Sequence, residues 1–181
     1  MRTLADQMST YAAYHQDARN KATHFVGVPV IILSLFIPLA WLRVPLGEFE
    51  LTGAMLFAAI VVAYYFVLDI PLALAMLLTT ALLVWAGDAI AGLGYKAGLA
   101  WFFLLFTGGW ALQLVGHVYE GRKPALMDNL FQIFVAPIFL AAEVFFALGY
   151  KPKLHEEVQR RALKMRADAG VRESGGTLTS A

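Results

Sequence analysis

The chain has no cysteine, which excludes disulfides, thiolate metal sites and a cysteine nucleophile. Any metal it binds is held by nitrogen and oxygen. Charge is scarce as well: 15% of the 181 residues are Asp, Glu, Lys or Arg, against about 25% in an ordinary soluble domain. The net charge of +1 gives no reason to expect nucleic acid. An apolar leader is missing too, because Met1 to Lys21 is polar throughout, so the first apolar run is expected to stay in the mature protein. What is abundant is apolar side chain, 60% of all residues. That balance predicts an all-α, polytopic membrane bundle.

About four to five apolar helices are expected, preceded by a polar helix and followed by a basic amphipathic one. Residues 3–24 read as one helix, too polar to span a bilayer. Val26 to Leu42 carries Pro29 and Pro38 and is near the minimum of ~17 residues for a span. Arg43 to Glu50 reads as a loop. Leu51 to Leu68 and Ile70 to Ala86 are cleaner spans joined only by Asp69, with Pro71 just beyond. Gly87 to Gly98, with its glycines, reads as a loop. Leu99 to Val118 and Asn129 to Leu148 complete the apolar runs. Seven of the fourteen Lys and Arg follow Tyr150, predicting an amphipathic helix at about Leu154 to Ala169 and a disordered Gly/Ser/Thr end. Basic residues at both ends place both termini on the cytoplasmic side. Five full crossings would separate them, so one run is expected not to cross, either the proline-bearing first or one partner of the Asp69 joint.

Polar groups that are costly in hydrocarbon fall in two stripes. Gln113, His117 and Glu120 follow an i, i+4, i+7 spacing and share an arc of roughly 60° on one helix. Asn129, Gln132 and Glu143 share a similar arc, with Pro137 bending the helix between them. Either stripe can also be read blandly: His117 pairing with Glu120 across one turn, and the second stripe hydrogen-bonding to neighbouring helices. Of the four histidines, His155 lies beside Glu156 and Glu157 and reads as solvated. His15, His24 and His117 lie next to apolar runs. Three neutral imidazoles with Glu120 nearby make a nitrogen-rich site suited to Fe(II) or Zn(II), with Asn20, Gln113 and Glu120 available to orient the rings. The obstacle is geometric, because in one straight helix His15 and His24 are about 180° and ~13.5 Å apart. The helix must break between them, or His24 must lie in the turn leading to Gly27 and Pro29. The residues alone leave four readings open: a metal enzyme, a b-type haem protein ligated by two histidines, a non-enzymatic lipid-binding or scaffold protein, and, with less support because no inverted repeat is visible, a secondary transporter.

Tyr14-His15, Asn20 and His24-x-x-Gly27-x-Pro29 are followed downstream by Gln113-x-x-Gly116-His117, Glu120, Pro124-Ala125-Leu126, Asp128-Asn129, Gln132, Ala136-Pro137 and Glu143. This pattern resembles the membrane family of 2-hydroxy fatty acid dioxygenases over about residues 10–150. The resemblance implies Fe(II)-dependent α-oxidation, in which molecular oxygen cleaves a 2-hydroxy fatty acid to a fatty acid one carbon shorter. It implies His15, His24 and His117 as metal ligands and Glu120 as a catalytic base or further ligand. Asn20, Gln113, Asn129, Gln132 and Glu143 would stand beside the metal or substrate. Residues 1–150 would form the membrane-embedded catalytic domain, in a bacterial inner membrane, and 151–181 the basic appendage. Arg19, Lys21, Arg122 and Lys123 can hold the substrate carboxylate or merely mark topology.

Overall fold

The computed structural model describes residues 3–124, 127 and 129–176. Ala125, Leu126 and Asp128 of the quoted pattern lie outside the described residues, as do residues 177–181 of the end expected to be disordered after about Ala169, whereas residues 170–176 of that end are helical. The architecture is all-α with one small hairpin: α1 (Leu4–Ala12), α2 (Ala18–Ala40), β1 (Arg43–Leu46), β2 (Phe49–Thr52), α3 (Gly53–Leu68), α4 (Ile70–Ala91), α5 (Tyr95–Glu120), α6 (Gln132–Ala147) and α7 (Pro152–Gly176).

The largest departure from expectation is at the N-terminus. The single helix expected over 3–24 is two helices, with a break at residues 13–17. Each half has its own start signal. Thr3 and Asp6 form a reciprocal capping box on α1, with Oγ1 of Thr3 accepting from Asp6 N at 3.2 Å and Asp6 Oδ2 accepting from Thr3 N at 3.0 Å. Asp17 caps α2, its Oδ1 accepting from Arg19 N at 2.8 Å. From there α2 runs unbroken through Pro29 and Pro38 for 23 residues, about 34 Å of rise and enough to cross a ~30 Å hydrocarbon core.

By length and apolar composition α2, α4 and α5 can each cross a membrane, whereas α3 and α6 have 16 residues each. The proline-bearing run is thus long enough to span, and the short member of the Asp69 joint is α3. Residues 43–52 form an antiparallel hairpin in place of the expected loop, pairing Arg43 with Thr52 and Leu46 with Phe49. Gly47 at its tip has φ +70°, a conformation that favours glycine. The loop expected from Gly87 shrinks because α4 continues to Ala91. Gly87 is a packing residue: a Cβ there would lie 2.8 Å from Phe36 Cβ.

α2 and α5 form the central antiparallel pair. Small residues let them touch, since a Cβ on Gly109 would lie 2.7 Å from Ile31 Cγ1 and 3.2 Å from the Gly27 carbonyl. The main core joins Met8 and Tyr11 of α1, Tyr65 of α3, Phe139 of α6 and Val158 of α7. Arg161 pairs with Asp6 at 2.6 Å, fastening α7 to α1. His155, expected to be solvated, is half-buried and stacks on Phe146 with centroids 4.6 Å apart. Its polar neighbours in sequence gave no hint of that aromatic partner.

Candidate metal centre

The break at 13–17 turns the chain so that His15, at its middle, meets His24 in the second turn of α2. His117 joins them from the last turn of α5. All three are buried, at 2%, 3% and 6% exposure, and one ring nitrogen from each lies within 4.8 Å of the others. Ring centroids are 4.6 Å apart for His15 and His24, 5.0 Å for His15 and His117, and 5.1 Å for His24 and His117. Those gaps leave no room for a planar macrocycle between any two rings, which disfavours the haem reading.

Hydrogen bonds fix two of the tautomers. His15 Nδ1 donates to the Tyr11 carbonyl at 2.7 Å, and His24 Nδ1 donates to the Asn20 carbonyl at 2.8 Å, because a carbonyl oxygen only accepts. Both Nε2 atoms therefore carry lone pairs, and they face each other at 3.2 Å. Two acceptors at that distance repel unless a proton or a cation lies between them. Burial and the neighbouring His24 push the His15 imidazole well below its ordinary protonation range, which favours the cation. Two imidazole nitrogens bound to one ion at ~2.0–2.1 Å with tetrahedral or octahedral angles would be about 2.8–3.4 Å apart. The 3.2 Å between His15 and His24 fits two ligands of one metal. His117 Nδ1 is likewise buried without a hydrogen-bond partner.

Glu120 stands behind the break. Its side chain is 1% exposed. Oε2 accepts from Gln16 N at 2.9 Å, Asp17 N at 2.7 Å and Asn20 Nδ2 at 3.1 Å, and Oε1 accepts from Arg166 Nη1. Arg166 also donates to the Ala13 carbonyl at 3.3 Å. The carboxylate thus sits at the start of α2 and the guanidinium at the end of α1, each at the helix terminus whose dipole favours its charge. Arg166 was invisible to sequence reading, because nothing distinguishes it from the other cations of a basic helix.

The imidazoles stand at one end of a cavity of about 190 Å³ bounded by α1 to α6. Gln113 and Gln132 line it, but Asn129 and Glu143 do not. Asn129 Oδ1 accepts from Phe131 N at 3.0 Å at the entry to α6. Glu143 accepts from Lys21 Nζ at 2.7 Å, which occupies one of the cations weighed for the substrate carboxylate. Among the described residues no Lys or Arg lines the cavity. Gln113 Nε2 and both amide atoms of Gln132 are buried with no hydrogen-bond partner. Unmet buried amides of this kind call for an explanation, and a polar ligand at the imidazole end supplies one.

A family model described as "2-hydroxy-palmitic acid dioxygenase Mpo1-like" matches residues 1–148. The 2-hydroxy-palmitic acid dioxygenase MPO1 of Saccharomyces cerevisiae is 34% identical over 175 residues, covering 90% of this chain and 94% of the yeast protein. No solved structure matches the chain.

Proposed function

Because the chain belongs to the Mpo1-like family of 2-hydroxy-palmitic acid dioxygenases, we propose that it shortens 2-hydroxy fatty acids by one carbon at an Fe(II) centre held by His15, His24 and His117. The observation that carries this reading is the pair of bare Nε2 atoms facing each other at 3.2 Å, at the head of an apolar cavity. The reaction balances as 2-hydroxy acid plus oxygen giving the shorter acid, carbon dioxide and water. Bound by three imidazoles with positions left open, ferrous iron supplies a template for the acid's carboxylate and α-hydroxyl and electrons for oxygen.

The protein's own residues do the rest. Tyr11 stacks on the His15 ring with centroids 3.9 Å apart and an 8° tilt, and the carbonyls of Tyr11 and Asn20 hold the two Nδ1 protons, leaving Nε2 free to bind. Gln113 and Gln132 offer neutral amide donors to the carboxylate. Amides orient the head group without burying a cation, and a buried cation would need its own partner whenever substrate is absent. Glu120 is assigned a positioning role, since its oxygens are taken by four donors and it acts on the metal only through the segment that carries His15. The apolar helices place the enzyme in a membrane. The packing of α1 on α7 and the basic tail support both termini lying on the cytoplasmic face.

Metal analysis of anaerobically purified protein, paired with a 2-hydroxypalmitate assay, tests the proposal. The expected result is near-stoichiometric iron, with turnover lost to a chelator and restored by Fe(II) but not by Zn(II). Full turnover in iron-free protein would overturn it. Within the same assay Gln132→Leu is expected to raise KM by up to about tenfold, the worth of one neutral hydrogen bond, with kcat little changed. A fall in kcat at constant KM would instead put Gln132 in the chemical step.

A further inference from the structure

We infer that the cavity gauges the acyl chain, and that its far wall, made by Phe36 and Ala58, sets the longest substrate accepted. This rests on the function proposed above. Along α2 the lining runs from His24 through Val28, Ile31 and Leu35 to Phe36, a depth of about 18 Å at 1.5 Å per residue. α3 runs back the other way. Its start lies near the end of α2, where a Cβ on Gly53 would be 2.9 Å from the Leu39 carbonyl, so Ala58 is at the far end and Tyr65 nearer the head. Tyr65 turns its own polar atom out of play by donating to the Phe134 carbonyl at 2.7 Å.

Neither helix lines the cavity beyond Phe36 on α2 and the Phe57–Ala58 turn of α3. Phe36 and Ala58 are buried, at 2% and 8% exposure, and pack with Ala54 and Val84 in one core cluster, while Gly87 of α4 presses against Phe36. One leaflet of acyl chain occupies about 15 Å, half of a ~30 Å hydrocarbon core. A long-chain acid with its head at the imidazoles therefore brings its methyl end to Phe36. The metal fixes one end of the molecule, the wall stops the other, and the distance between them selects chain length.

The test compares kcat/KM for 2-hydroxylaurate, 2-hydroxypalmitate and 2-hydroxylignocerate in the wild type, Ala58→Leu and Phe36→Ala. Ala58→Leu is expected to lower the palmitate-to-laurate ratio by roughly tenfold, the scale on which apolar pockets discriminate by size. Phe36→Ala is expected to raise the lignocerate-to-palmitate ratio. Should Ala58→Leu fail to fold, Ala58→Val and Phe36→Leu carry the same comparison with smaller changes in volume. Unchanged ratios in folded variants would overturn the gauge, whatever happens to the overall rate. If the wild type turns over no 2-hydroxy acid, the proposed activity fails by itself. The gauge is then read from equilibrium binding of radiolabelled laurate and palmitate to the same variants, where the same ratio shift supports it and its absence overturns it.

Discussion

Replacing His24 with alanine leaves a folded bundle that retains no iron and consumes no 2-hydroxypalmitate. The fold survives because the imidazole adjoins an existing cavity and its Nδ1 bond is made within its own helix, to the Asn20 carbonyl. Alanine is also the best helix former. The centre does not survive, because removing one ligand of three leaves too few fixed donors to hold the ion against water. His117→Ala is expected to give the same loss of iron and turnover, its melt reporting what the imidazole's contact with the Arg122 backbone contributes to stability. The measurements are metal content, oxygen-dependent chain shortening and a thermal melt on one preparation. A variant that melts like the wild type and keeps its turnover would remove His24 from the centre. A scaffold protein would show altered melting and no chemistry in either form, and a haem protein would show a Soret band that the proposed centre lacks.

Glu120→Leu is expected to be nearly as damaging by a different route. Leucine leaves the amides of Gln16 and Asp17, the side-chain amide of Asn20 and the Arg166 guanidinium without their shared acceptor. Each buried donor left unmet costs about 1–3 kcal/mol, and the break between α1 and α2 relaxes to relieve them. The His15 Nε2 then leaves its place opposite His24. Iron affinity is expected to fall roughly 10- to 100-fold, as it does when the support of a metal ligand is removed. Arg166→Leu should produce the same change at smaller amplitude, because Arg166 supplies one donor of four and is itself 29% exposed. A role confined to stability would lower the melting temperature and leave the iron affinity of the folded protein unchanged.

The membrane class was legible because scarce charge and long apolar runs are properties of composition. The three imidazoles stood out because histidine is expensive beside such runs. Their convergence was legible only as a condition, since no proline or glycine marks residues 13–17 and the break is held from Glu120, more than a hundred positions away. Helix-forming residues favoured one helix, and the local Asp17 cap together with the tertiary contact to Glu120 decided for two. The same cause explains Gly87, which reads as a loop residue alone and is a packing residue once Phe36 lies against it. Gln113 and Gln132 were found by helical periodicity. Asn129 and Glu143, placed by the same periodicity, face a local turn and Lys21 instead, because periodicity assigns a face and the neighbouring helix decides what it meets.

The bond between Glu120 and Arg166 joins positions 46 residues apart, and that separation has a meaning in time. All three imidazoles are in the chain once residue 117 is made, whereas the cation that helps close the bend beneath His15 follows only with α7. A polypeptide cut short before that helix holds all three imidazoles and three of the four donors to Glu120. The last of the four donors to the Glu120 carboxylate is thus also the last to be synthesised, and the bend beneath His15 is fully braced only once α7 has formed.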